Sequence, residues 1–271
     1  MMAACADMPR DSRAQGIVWQ LDNATTHPAG NWHGLGVNQL LVQWTVVDDT
    51  AFVPNTGLPT AANMPDWARI GREPWARDVV LGLAGYADEK RARADVAKLA
   101  RESEGVARVS SSLPLHVTGY YFPVEVDPTW GDAPKLAALL STLPRPLWIS
   151  VYDRSNVGGK TLADWLASWL PDDVGVFFQD GCGVYARGPE VARQYLDALA
   201  QRFGRDRVRV IAEAFRPSEH GGFRAATAGE LREQLAAYHG YFTYLFDGPH
   251  YVSDELVRTL APRAAQHGAS P

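Results

Sequence analysis

Cysteine is almost absent from the 271-residue chain: only Cys5 and Cys182 occur. That excludes a disulfide framework and a cysteine-rich metal site. No apolar run reaches the ~18 residues that a membrane-spanning helix needs. Positive charge is not in excess either. Lysine and arginine number 26 against 31 acidic residues, a net charge of −5, so no basic surface awaits a phosphate backbone and nucleic acid is not an expected partner. What the chain does have is apolar mass, 46% of its residues, too much for disorder and ample for a buried core. It also has nine tryptophans, roughly two to three times ordinary usage. An indole offers core volume or a flat face on which a ligand can stack; core packing is expected to absorb most of the nine.

The N-terminus admits two readings. Met2-Ala3-Ala4-Cys5 resembles the end of a bacterial lipoprotein signal, in which small residues precede a lipid-modified cysteine. On that reading residues 1–15 are a processed signal remnant, Cys5 carries a lipid anchor, and the protein is periplasmic or held at the outer membrane. On the other they are a disordered alanine-rich start and the protein is cytoplasmic. Residues 263–271 read as a flexible tail.

Between these ends, short apolar or β-branched runs alternate with amphipathic stretches. Eight runs stand out, at 16–21, 39–47, 78–84, 116–122, 146–152, 175–179, 207–215 and 241–246. Helical patterns fall at 88–104, 133–143, 161–170, 189–203 and 228–239, with a short helix near 65–72. Asp88, Thr161 and Thr227 are candidate helix caps, and Pro189 suits a first turn. Gly204 and Gly240 are placed to end helices in the left-handed conformation. Strands alternating with helices indicate parallel βαβ units, and eight of them fit an α/β fold of the (β/α)8 TIM-barrel type over 16–262. The stretch 23–38 has little helical periodicity, so the first βα unit is expected to be shortened to a loop or single turn. The loop at 48–62 is long enough to suggest function.

Active sites of such barrels lie at the C-terminal strand ends, which here carry Trp19 and Gln20, Gln43 and Trp44, Tyr121 and Glu125, Tyr152 and Asp153, Gln179 and Asp180, Glu213 and Arg216, and Asp247. Amides, acids and aromatic rings in this mixture suit sugar hydroxyls. Side chains along a strand alternate between faces, and a carboxylate turned into the helix layer without a partner would cost several kcal/mol. Alternation therefore directs Glu213 to the barrel mouth, with Gln20, Gln43 and Gln179. The bland role for Glu213 is an ion pair with Arg209 or Arg216. Glu125 lies just past strand four, and a strand-four and a strand-seven acid can face each other across the mouth. Two carboxyl groups flanking a glycosidic bond divide the work of hydrolysis between them.

Gln43-Trp44-Thr45, the segment Gly119-Tyr120-Tyr121-Phe122-Pro123-Val124-Glu125-Val126-Asp127 with Trp130, and Gln179-Asp180-Gly181-Cys182-Gly183 together resemble an uncharacterised bacterial (β/α)8-barrel family related to glycoside hydrolases. The resemblance runs from about residue 16 to 260, and Glu213 fits that family's acid on strand seven. The chain differs in its shortened first unit and in having no asparagine before Glu125. The resemblance implies a glycosidase acting on a bacterial polysaccharide, with Glu125 as acid/base and Glu213 as nucleophile. Trp19, Gln20, Gln43, Trp44, Tyr121, Tyr152, Asp153, Gln179, Asp180, Arg216 and Asp247 would then bind the sugar. The alternative is a non-catalytic carbohydrate-binding barrel that assists exopolysaccharide assembly or export; a third reading is a different barrel hydrolase using Asp180 or Asp247. No cofactor or metal is expected: Gly158-Gly159-Lys160-Thr161 lacks the first glycine of a phosphate loop, and the histidines lack zinc-site spacing.

Overall fold

The computed structural model describes residues 13–261. Eight parallel strands close into a barrel: β1 (Gly16–Trp19), β2 (Gln39–Val42), β3 (Asp78–Gly82), β4 (Val117–Val126), β5 (Leu147–Val151), β6 (Val174–Gln179), β7 (Val208–Glu213) and β8 (Phe242–Phe246). Closure is made by β1 against β8, with Gly16 opposite Tyr244 and Ile17 opposite Leu245. All eight runs anticipated from the sequence are barrel strands, because strands of a parallel sheet are buried on both faces and appear as continuous apolar runs.

Alternation sorts each strand. Val18, Leu41, Val80, Tyr121, Trp148, Phe177, Ile211 and Tyr244, one from each strand, fill the barrel interior. Their neighbours, such as Ile17, Leu40, Leu81, Phe122, Ile149, Phe178, Ala212 and Leu245, join the larger core under the helices. The interior rings fit because small residues lie beside them: a Cβ on Gly175 would fall 2.2 Å from the Trp148 ring, and one on Gly16 2.1 Å from Tyr244. At the closed end Arg209 stacks on Trp148 at 3.9 Å and donates to the Tyr244 hydroxyl at 2.8 Å.

The helices are α1 (Trp67–Ile70), α2 (Glu89–Ala94), α3 (Val96–Ser110), α4 (Leu136–Leu140), α5 (Gly159–Ala167), α6 (Pro189–Phe203), α7 (Ala228–Ala237), α8 (Gly248–Tyr251) and α9 (Asp254–Leu260). The first βα connection is indeed reduced, to a single 3-10 turn at Trp32–Leu35. Asp88 accepts the Arg91 N–H, and Thr227 forms a reciprocal capping box with Glu230. Thr161, in contrast, is no cap: α5 starts two residues earlier, after Gly158, whose φ of 94° favours glycine. Gly204 has a positive φ of 85° but an extended ψ of 145°, so it ends α6 outside the left-handed helical region.

Two additions decorate the mouth. The long loop folds as a hairpin, Val46–Val47 against Thr50–Ala51, with Ala84–Gly85 as a third strand. After β7, Phe215–Pro217 pairs antiparallel with Phe223–Ala225. Among the described residues no helix is long and apolar enough to cross a membrane. The candidate lipidation site, Cys5, lies outside the described residues.

Candidate active site

The interior-facing side chains above the apolar layer become polar at the C-terminal ends of the strands, and there a cleft of about 270 Å³ opens. Gln20, Gln43, Glu125 and Gln179 line it, each two or four residues beyond an interior residue of the same strand, together with the interior Tyr121 itself; Trp44, Tyr86 and Glu89 form its rim. The Oε1 atom of Gln43 is buried without a partner, an unsatisfied acceptor of the kind a ligand hydroxyl would satisfy.

Glu125 reaches the cleft through an irregularity in β4. Phe122 pairs with Ile149 and Val126 with Val151, so four residues of β4 span two of β5. Pro123 lies in this interval and has no N–H for the ladder. The resulting bulge is the usual device for re-aiming a side chain next to a site. Gln179 Nε2 donates to Glu125 Oε2 at 2.5 Å, tying β6 to β4 across the mouth. Burial, reinforced by the negative charge of Glu89, raises the Glu125 carboxyl to about 7. Glu89 itself is paired with Arg93 and, at 3.4 Å, with Arg154.

Glu213 ends β7 on the interior-facing side, two residues beyond Ile211, and is 6% exposed. Gly183 N–H donates to its Oε2 at 2.6 Å. Burial first, then the charge of Asp180, raises Glu213 to about 8, and Glu125 adds to the same effect. Glu213 makes neither of the ion pairs considered for it. Arg209 is engaged at the other end of the barrel, and Arg216 donates to the Glu213 and Phe215 carbonyls and to Gln234 Oε1.

Five residues expected at the cleft are turned away from it. Trp19 is fully buried, packed on Trp67 at 5.7 Å, with its indole N–H on the Thr25 carbonyl at 2.8 Å. Its neighbour Gln20 takes the mouth-facing position, so Trp19 must point outward. Asp180 follows Gln179 in the same way. Its carboxylate is completely buried and accepts from Cys182 N–H, Glu213 N–H, Gln234 Nε2 and the Tyr238 hydroxyl. Asp153 is also fully buried and accepts from the Tyr195 hydroxyl at 2.7 Å. Arg216 is 4% exposed in the contacts just named. Asp247 caps α8, bonding the N–H and Nδ1 of His250 and accepting the Gln20 N–H. These side chains brace the strand ends from behind. Tyr152 is half-buried, with the Arg187 guanidinium 5.3 Å from its ring. Trp44 keeps its N–H on the Leu21 carbonyl at 2.6 Å while its ring forms part of the rim.

Cys182 is buried 3.5 Å from the Tyr238 hydroxyl, and burial pushes its thiol well above the usual range; it is a packed loop thiol, poorly suited to attack. Sequence reasoning missed Tyr86 and Glu89. The signal was available: Asp88 caps the helix after β3, so its neighbours had to stand at the mouth.

No protein-family model matches the chain, and no curated protein matches it significantly. Among solved structures it is similar to a protein from Bacteroides thetaiotaomicron VPI-5482 described as a "putative alpha-L-fucosidase", with a TM-score of 0.65 at 14% identity over 96% of this chain and 97% of that one. At that identity the likeness establishes a shared barrel fold.

Proposed function

We propose that the protein is a glycosidase that cleaves a bacterial polysaccharide with Glu125 and Glu213. The observation that carries this reading is geometric: two buried carboxyls end β4 and β7 at the barrel mouth, Glu125 lining the polar cleft and Glu213 on the interior-facing side with Ile211, and burial raises them to about 7 and about 8. At pH 7 Glu213, raised the higher, holds its proton while Glu125 is partly ionised, so hydrolysis proceeds from the form in which that proton has passed to Glu125 and left Glu213 ionised. Glu125 lines the cleft and is the acid: it gives its proton to the glycosidic oxygen as the C–O bond breaks. The Gly183 N–H fixes one oxygen of Glu213 and leaves the other to form a bond to the anomeric carbon. Glu125, now ionised, takes a proton from water, whose oxygen displaces Glu213 and restores both groups. The glycosidase named for the structural neighbour is consistent with this chemistry but does not define the sugar.

A specific feature favours the second reading, a carbohydrate-binding barrel without turnover. Glu213 is almost wholly covered, and its carboxylate is engaged by the 181–183 loop. The experiment that separates the two is reducing-sugar release from a panel of bacterial polysaccharides. An active wild type should lose at least a hundredfold in rate on Glu125→Gln or Glu213→Gln while still binding polysaccharide. Activity retained in both variants would exclude the pair, and binding without cleavage by the wild type would establish the binding barrel. A lipid anchor on Cys5, facing the periplasm, remains part of the proposal and is tested by palmitate labelling of the full gene product.

A further inference from the structure

Phe246 lines the cleft, and from it a run of aromatic rings leads outward. The Phe246 and Phe215 centroids are 6.2 Å apart, Phe215 and Phe223 are 4.7 Å apart, and Tyr251 lies 5.3 Å from Phe215. In the hairpin that follows β7, Phe215 opposes Ala225 and Phe223 opposes Pro217, so both phenylalanines occupy one face. The inner end of this run adjoins Glu213. A Cβ on Gly183 would fall 2.5 Å from the Phe215 ring and 2.7 Å from Glu213 Oε2, so ring and carboxyl converge on one glycine.

The outer end is open to solvent. Phe223 is 51% exposed and Tyr185, on the loop after β6, is 64% exposed. Tyr185 holds a φ of 56°, a conformation that bulky residues rarely adopt and that clusters at functional sites. Tyr185 lies close enough to Arg224, the residue after Phe223, to interact with it electrostatically, while the Arg224 guanidinium is bidentate on Glu230. With Val184, three of the five large exposed apolar side chains among the described residues stand on these two loops. The core explains none of them.

We propose that these rings form an outer binding site for a sugar chain, so that the ligand is an oligo- or polysaccharide running from Glu125 past Glu213 and over Phe215 to Phe223 and Tyr185. The C–H faces of successive sugars would stack on the rings, while the Tyr185 hydroxyl bonds their hydroxyls. A sugar chain fits better than a protein partner for two reasons. The rings are continuous with a polar cleft, and a few exposed rings fall far short of the roughly 1,000 Å² a stable protein interface buries. The proposal rests on the carbohydrate reading above and adds to it the length and path of the ligand.

The test is calorimetric titration with cello-, chito-, manno- and alginate oligosaccharides graded from two to eight units. Wild-type affinity should rise with length for the matching sugar. Phe223→Ala and Tyr185→Ala, both at exposed positions, should weaken the longest ligand about tenfold, equivalent to ~1.4 kcal/mol, and leave the disaccharide unchanged. Affinity that ignores length, or is equal in both variants, would overturn the outer site while leaving the carbohydrate reading intact. No sugar binding at any length would overturn both. Should Phe223→Ala instead convert a dimer to a monomer in light scattering, with sugar affinity unaltered, the rings are a contact between copies and the outer site falls.

Discussion

Replacing Glu213 by glutamine separates the cost of holding a buried acid from its use. In the folded protein burial and Asp180 raise this carboxyl to about 8, against an ordinary value of 4.5. Below pH 4.5 the group is protonated whether the chain is folded or not, and the acid carries no penalty. Above that value the unfolded chain ionises while the folded one does not, so stability falls steadily until the pH passes about 8 and then levels off. The interval from 4.5 to pH 7 spans about 2.5 pH units, each worth ~1.36 kcal/mol, so the native acid costs about 3 kcal/mol at neutral pH. Glutamine keeps the shape and can still accept the Gly183 N–H, but it never ionises. Glu213→Gln should therefore match the wild type near pH 4.5 and exceed it at pH 7. For a chain of this size the gain is about 6–12 °C in melting temperature, at ~2–4 °C per kcal/mol. Thermal melts of both proteins across pH 4.5–9 give the answer directly. A difference that stays constant with pH, or a variant less stable than wild type at pH 8, would refute the account of Glu213 as a buried, near-neutral acid. A stabilising loss of function is what a strained active site predicts.

The bracing residues and the cleft residues should respond differently. Trp19→Ala removes a fully buried indole and its hydrogen bond and should cost about 3–5 kcal/mol. Sugar affinity of the protein that remains folded, measured by titration at low temperature, should not change; a selective loss of affinity would show that Trp19 contacts ligand. Glu89→Gln removes a negative charge that helps hold Glu125 up, and it frees Arg93 and Arg154 from their partner. The Glu125 carboxyl should then titrate lower, as followed by carbon-13 NMR, and an unmoved midpoint would rule out that coupling.

The fold was legible in the sequence because its signals are local. Barrel strands buried on both faces appear as apolar runs, and caps such as Asp88 and Thr227 act on N–H groups three residues away. The site was only half legible. Alternation, applied to strand seven, directed Glu213 to the mouth, and the structure has it on the same face as Ile211. The same rule applied to Trp19 beside Gln20, or to Asp180 beside Gln179, would have turned both of them outward. What alternation alone could not supply was a reason for a carboxylate to face the helix layer. That reason lies in distant partners: Gln234 and Tyr238 are 54 and 58 residues from Asp180 and come to it only when α7 packs. The charge behind the strands is therefore not idle. Asp180 binds the N–H groups of Cys182 and Glu213, holding the loop that presents Gly183 to the Glu213 carboxylate, and its own charge raises that carboxyl. A residue expected to touch sugar instead sets the geometry and the proton affinity of one that faces the mouth. Such an arrangement leaves no mark at the level of motif spacing, because its elements meet only in the closed barrel.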